Sequence, residues 1–278
     1  MKRNIIISCI IFLFVVHIQA QTEEIFAIPR LRLGVELGLN NLFVKANKLP
    51  MIRENHSYYH YYDDYDYYGG FIPDGKNFTS CYLGVKPEYL VHKRVAVAAG
   101  VRFSFNKVVY DSDRDYFLWK LSESADGTQT NYVKIRNITQ RNYYVSIPME
   151  VKFFPREIDY PVRHYFVFGT AFNFRVTSNE EVSFKNSAME KHESEVSDQI
   201  KGSSNFYGNL YLGFGIKIGK STHPCGNIEF HAPLCVFYAN DKPNSLVKMR
   251  DAIGSGLQLT FQLPLCKQHQ LSYTVIND

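Results

Sequence analysis

The feature that most limits this chain is a strict alternation of apolar and polar residues, which recurs eight times. A period of two marks a strand with two unlike faces. Leu31, Leu33, Val35, Leu37 and Leu39 share one face, while Arg32, Gly34, Glu36, Gly38 and Asn40 share the other. The pattern returns in 83–91, 95–106, 143–153, 165–175, 206–218, 227–236 and 256–265. In 95–106, Val101, Phe103 and Phe105 oppose Arg102, Ser104 and Asn106. In 227–236, Ile228, Phe230, Leu234 and Val236 oppose Asn227, Glu229 and His231.

These runs exceed the usual roughly 5–6 residues of a soluble strand and fit the roughly 9–11 that cross a bilayer. After residue 21 no stretch is apolar for long enough to span as a helix. A membrane-spanning form of this chain therefore has to be a closed barrel, in which every backbone group finds a partner. An even strand count suits antiparallel closure with both ends on one side.

Alternation alone does not say which face is inside, since a soluble ligand-binding barrel alternates too. A solvated face would be crowded with Lys, Glu, Asp and Gln. The polar face here holds mostly Gly, Ala, Ser, Asn and Tyr, with sparse charges of both signs. That suits a cramped lumen. The other face is almost free of charge, as contact with lipid demands. The expected fold is all-β: an eight-stranded antiparallel transmembrane up-and-down barrel with a filled polar lumen, in the bacterial outer membrane. The alternative is a soluble secreted ligand-binding barrel.

The start of the chain reads as a signal peptide over residues 1–20. Lys2 and Arg3 precede the short apolar run Ile5 to Val16, and Ala20 offers a small residue for cleavage. The barrel domain then covers 21–278, with strands inside 31–265 and a periplasmic tail at 266–278. A net charge of +4 gives no reason to invoke nucleic acid. Twenty Tyr and 21 Phe against one Trp suit strands and membrane interfaces.

Spacers 46–78, 107–140, 178–204 and 240–251 read as long polar loops. Spacers 92–94, 155–163 and 219–225 read as turns, with Pro155, Pro161, Gly219 and Pro224 as signals. Long loops outside and short turns in the periplasm is the outer-membrane arrangement. The first long loop carries Tyr58, Tyr59, Tyr61, Tyr62, Tyr65, Tyr67 and Tyr68. Tyrosine gives large contact area at low entropy cost, so this loop is a candidate partner-binding segment as well as a candidate solvated loop. His56, His60, Asp63, Asp64 and Asp66 lie there without fixed geometry, and no metal is assigned.

The inward face gathers Arg32, Glu36, Lys86, Glu88, Arg102, Glu150, Lys152, Arg175, Lys217, Glu229 and His231. These are expected to form a charge-balanced network that fills and stiffens the barrel. Cys225 and Cys266 are nearly symmetric about the last hairpin and are a candidate disulfide. No Gly-x-Ser-x-Gly, His-Glu-x-x-His or phosphate loop occurs, so no catalytic or cofactor-binding residue is assigned. The expected role is a non-enzymatic scaffold or binding platform, whose partners are membrane lipid and other outer-membrane or periplasmic proteins. A lipid-modifying membrane enzyme is the alternative.

The run Asn142-Tyr-Tyr-Val-Ser-Ile-Pro-Met-Glu-Val-Lys-Phe153 resembles the fourth strand of the PorT-like outer-membrane β-barrel family of the Bacteroidetes. Leu33-Gly-Val-Glu-Leu-Gly-Leu-Asn-Asn41 is similar to that family's glycine-rich first strand. Tyr165 to Phe172 is similar to its fifth and Tyr211-Leu-Gly-Phe-Gly-Ile216 to its sixth, and Lys248-Met-Arg250 precedes a similar last strand. The resemblance covers most of 31–265. It implies a barrel without catalytic residues, and one member of the family is required for type IX protein secretion.

Overall fold

The computed structural model describes residues 30–53, 76–111, 115–123, 130–156, 160–220 and 222–265. The expected signal peptide, the tyrosine-rich loop, Cys266 and the tail lie outside them. Among the described residues ten strands follow in order: β1 Leu31–Ala46, β2 Lys76–His92, β3 Val95–Ala99, β4 Val101–Asp111, β5 Phe117–Glu123, β6 Thr130–Phe153, β7 Val162–Phe184, β8 Phe206–Ile218, β9 Cys225–Phe237 and β10 Val247–Pro264. A 3-10 turn, Ser187–His192, and the short helix α1, Glu193–Gln199, lie between β7 and β8.

All pairings between strands are antiparallel, and β1 pairs with both β2 and β10, which closes the sheet into a barrel. The wall has eight members because β3 and β4 act as one strand. Both pair with β2 on one side and β6 on the other. They part at Gly100, where a Cβ would collide with the Val85 carbonyl oxygen, so only glycine permits that approach. The tenth strand, β5, pairs with β6 alone and stands on the rim.

Short connections stand where turns are expected: β2 ends at His92 and β3 starts at Val95, β6 ends at Phe153 and β7 starts at Val162, and β8 ends at Ile218 and β9 starts at Cys225. At the last, Gly219 takes a φ of +119°, a conformation open to glycine. The first strand starts and the last strand ends on this same side, where Arg32 pairs with Pro264.

The expected long loops are corrected in part. Much of 107–140, 178–204 and 240–251 is strand: β4 runs to Asp111, β6 starts at Thr130, β7 runs to Phe184 and β10 starts at Val247. β6 has 24 residues, more than twice what a bilayer crossing needs. These extensions alternate with the opposite polarity. In β6, Val133, Ile135 and Ile138 are buried while Lys134 and Arg136 face out. A bulge between Ile135 and Asn137 resets the period so that all three apolar residues point inward. A second bulge, where β9 has one residue more than β8 between Cys235 and Pro233, turns Val236 inward. Val236 was expected to face out with Leu234.

Burial sorts the barrel into levels. Around the middle, Leu37, Leu39, Leu83, Phe103, Phe168 and Phe261 are each more than half exposed on the outer face. Inside, at the long-loop end, lies a large apolar cluster that includes Leu42, Phe78, Val108, Trp119, Ile138, Val196 and Met249. At the short-turn end a small one contains Leu90, Ala96, Phe154 and Tyr165. Between them the interior is polar and charged.

Candidate functional site

The charged interior is built by register. Most of the long side chains stand beside a small one on the neighbouring strand. Glu36 and Arg102 both flank Gly84, Lys86 is beside Gly34, and Glu150 lies between Ala98 and Gly169. Lys152 is beside Ala96, Glu229 beside Gly215, and His231 between Gly213 and Gly256. Alternating large and small residues is how a narrow barrel accommodates bulky side chains in its lumen. Rings fill the remaining space by lying on glycines, Tyr82 over Gly38 and Tyr211 over Gly169.

The network has two connected centres. In the first, Glu36 and Glu150 share Lys86 and Arg102. The Lys86 Nζ lies 2.8 Å from Glu36 Oε2 and 2.6 Å from Glu150 Oε1. Arg102 donates through Nε to Glu36 and through Nη2 to Glu150 at 3.0 Å and to Gln258 at 2.9 Å. The Tyr211 hydroxyl donates to Glu150 at 2.8 Å, and the Tyr82 hydroxyl to Gln258 at 2.9 Å. In the second centre Lys152 joins Glu229 at 2.6 Å and Glu88 at 3.3 Å. Glu88 also meets Lys217 at 3.3 Å and accepts from Gln262 at 2.8 Å, while Arg32 lies 3.7 Å away. His231 Nε2 is 3.0 Å from Glu229. Lys152 lies 3.7 Å from Glu150, which links the centres.

None of these charged groups is more than 5% exposed. Buried charges persist when each has partners, and this set has them. Ten of the eleven expected lumen residues therefore come together. Arg175 does not. Its guanidinium binds the Ser203 carbonyl and the Asn205 side chain, so it anchors the β7–β8 connection. It sits past the level where β7 changes polarity, and period-two reading alone cannot see that level.

Sequence reasoning missed Arg163, which is 1% exposed and packs over the Phe154 ring at 5.1 Å. It also missed the amides of Gln258 and Gln262 as links in the network. Arg163 precedes the first aromatic of its strand; extending the alternation back from Tyr165 by two residues finds it.

Above the first centre is a cavity of about 30 Å³ lined by Ser80, Tyr82, Arg102, Ser104, Ser146 and His231, among others. It has room for a water or two and no more. Above it the apolar cluster closes the barrel. There Trp119, the one tryptophan, donates to Gln199 of α1 at 2.9 Å, and Gln199 donates back to the Leu121 carbonyl at 2.9 Å. Val196 and Ile200 pack beneath. The strand extensions, β5 and α1 thus form an outer head with an interior of its own.

At the other end Cys225 is buried, stands opposite Gln262, and its thiol lies 3.6 Å from the Gln262 oxygen. Among the described residues no group of His, Cys, Asp and Glu is arranged to hold a metal.

A closed eight-membered wall with an uncharged apolar belt and a polar interior is the architecture of an outer-membrane β-barrel. No family model and no curated protein matches the chain. Among solved structures, the outer membrane protein OprG from Pseudomonas aeruginosa is 9% identical, over 83% of this chain and 95% of its own, with a TM-score of 0.39. Neisserial surface protein A is 8% identical, over 84% of this chain and 96% of its own, at 0.35. Ail, the attachment invasion locus protein of Yersinia pestis, is 11% identical, over 84% of this chain and 98% of its own, at 0.27. These likenesses concern the fold, and the case for it rests on the barrel's own geometry.

Proposed function

We propose that this barrel is a non-enzymatic scaffold or binding platform of the outer membrane, related to the PorT-like barrels and serving protein secretion of the type IX kind or surface assembly. The observation that carries the reading is the filled interior beneath a packed outer head. The lumen is occupied by paired charges and bounded by apolar clusters at both levels. Passage of solutes is not what such an interior serves. The strands instead continue past the belt to build a rigid surface for contact.

The tyrosine-rich segment, residues 58–68, is proposed to supply part of that contact together with the head. The lipid-modifying alternative finds little support. His231 is engaged by Glu229, and the room beside it is about 30 Å³, too small for an acyl chain. Cys225 and Cys266 are proposed as a disulfide, and mass spectrometry of unreduced protein tests it.

The test of the main reading has two arms. Purified barrel in planar bilayers is expected to give no steady conductance, and steady ion-conducting steps overturn the filled-lumen argument. Crosslinking in intact outer membranes is expected to capture defined protein partners and to lose them when residues 58–68 are deleted. An unchanged capture pattern removes that segment from the proposal.

A further inference from the structure

Positive charge gathers on the outward face of the head where β5, β6 and β7 lie side by side. Phe117, Trp119, Val133, Ile135 and Phe184 turn into the head's apolar interior. Lys120, Tyr132, Lys134 and Lys185 alternate with them and take the other face. Lys134 and Lys185 are neighbours, since the Lys185 N–H donates to the Lys134 carbonyl at 2.9 Å. Both ammonium groups lean on one ring, Tyr116, at 4.9 and 4.5 Å from its centroid. Across β5, the Arg53 guanidinium lies over the Tyr132 ring at 5.5 Å.

Like charges side by side on a sheet repel. The Tyr116 ring offsets part of that through its negative face. Asp115, 85% exposed, meets Lys185 at 3.2 Å, and Glu123 closes β5. The acids of α1, Glu193, Glu195 and Asp198, ride on a helix packed against the inward side of this sheet, through Val196 and the Gln199–Trp119 hydrogen bond.

The chain leaves for the tyrosine-rich segment from this same face. Ile52 bridges antiparallel to Trp119, the Arg53 N–H donates to the Leu118 carbonyl at 3.1 Å, and the Lys120 N–H to the Met51 carbonyl at 2.8 Å. Residues 51–53 thus follow the second edge of β5 and head toward its Tyr116 end. The segment that comes next, 54–75, contains Glu54, Asp63, Asp64, Asp66 and Asp74 and neither Lys nor Arg. Extended chain covers about 3.3 Å per residue, so Asp63 has a reach of roughly 33 Å from Arg53. A single exposed ion pair holds little. A tethered segment, however, meets the face at an effective concentration of the order of millimolar, and several such pairs then act together.

We infer that the face formed by Arg53, Lys120, Lys134 and Lys185, with Tyr116 and Tyr132 between them, is the docking surface for residues 54–75 of the same chain. The acidic segment neutralises the face, and its tyrosines become part of the head's outer surface. This goes beyond the scaffold reading and holds whether or not the barrel has protein partners.

The test treats the full chain, one barrel to each phosphatidylcholine nanodisc, with a carbodiimide, which joins a carboxylate to an amine in contact with it. Mass spectrometry maps the joined peptides, and the Asp115–Lys185 pair serves as internal standard. Asp63, Asp64 or Asp66 is expected to join Lys134 or Lys185. The yield is expected to fall about fivefold or more in 1 M salt, where screening acts beyond about 3 Å. Formation of the standard without any link from 54–75 overturns the proposal, and so does a yield that salt leaves unchanged. The variant D63K/D64K/D66K is expected to lose the links. Adding K134E/K185E reverses both partners and is expected to restore joining between the same positions. A chain that carries both sets, keeps the heat-modifiable gel mobility of a folded barrel and fails to rejoin also overturns the proposal.

Discussion

Strand β6 passes through two environments, and its side chains exchange roles between them. In its second half Val145, Ile147, Met149, Val151 and Phe153 face out, while Ser146, Glu150 and Lys152 face in. In its first half Lys134, Arg136, Thr139 and Arg141 face out, while Val133, Ile135 and Ile138 face in. Tyr143 and Tyr144 mark the change. One half is ordered like a membrane protein and the other like a soluble one, and the same backbone ladder runs through both. What differs is the solvent. Lipid outside favours an apolar exterior and pushes charge into the lumen, where it must pair. Water outside restores burial of apolar surface as the organising force.

The largest expected break in the membrane half is at Glu150, which accepts from Lys86, Arg102 and Tyr211. Glu150→Ala leaves two buried cations short of a counter-charge. It is expected to cost about 3–5 kcal/mol, measured by urea unfolding of the barrel in lipid vesicles. A value under 1 kcal/mol would mean that the network only fills space.

A paired substitution sharpens the contrast along one strand. Ile147→Lys puts a charge on the lipid-facing belt and is expected to cost about 2–4 kcal/mol in the same assay. Arg136→Leu makes the reverse chemical change on the outward face of the head, where water is the solvent. It is expected to stay within about 0.5 kcal/mol of wild type. Similar costs for both would show that the boundary near Tyr143 is misplaced.

How much of this was legible in the sequence follows the same boundary. Inside the belt, period-two reading found the wall strands, their facing and ten of the lumen charges. The solvent there enforces alternation position by position, and a slip by one residue would put charge into lipid. In the head the pattern was harder to read. Alternation continues in Val133, Ile135 and Ile138, but with inverted polarity and a bulge within it, so it looked like polar loop. Arg175 and Val236 were misjudged for the same reason, each lying where the rule of the belt has ended. The amide links Gln258 and Gln262 were invisible because their role depends on which strands become neighbours on closure.

The head should also yield on its own. Val196 of α1 is fully buried among the head's apolar residues. Val196→Ala is expected to cost about 2 kcal/mol, for the lost methyl groups and the small cavity left behind. The loss should be confined to the head. Trp119 fluorescence would shift at lower denaturant, while the heat-modifiable mobility of the barrel stays as in wild type. A single transition for both probes would make head and barrel one cooperative unit.

The smallest expected effect separates the halves by pH. Tyr110 lies in the head beyond the belt, buried, with its ring 5.8 Å from that of Phe117. Removal from water pushes its phenol up to about 12, because burial disfavours the phenolate. A folded value above the unfolded one gives a contribution that is fully present below about pH 10. It is lost as pH rises from about 10 toward 12, because the unfolded chain ionises first. The Trp119 signal should therefore report a head that weakens across that window. Tyr110→Phe removes this group's titration, and the decline should be shallower by its share. If the slope is unchanged in the variant, Tyr110 ionises as readily in the folded head as in water, and the head's interior is wetter than its packing implies.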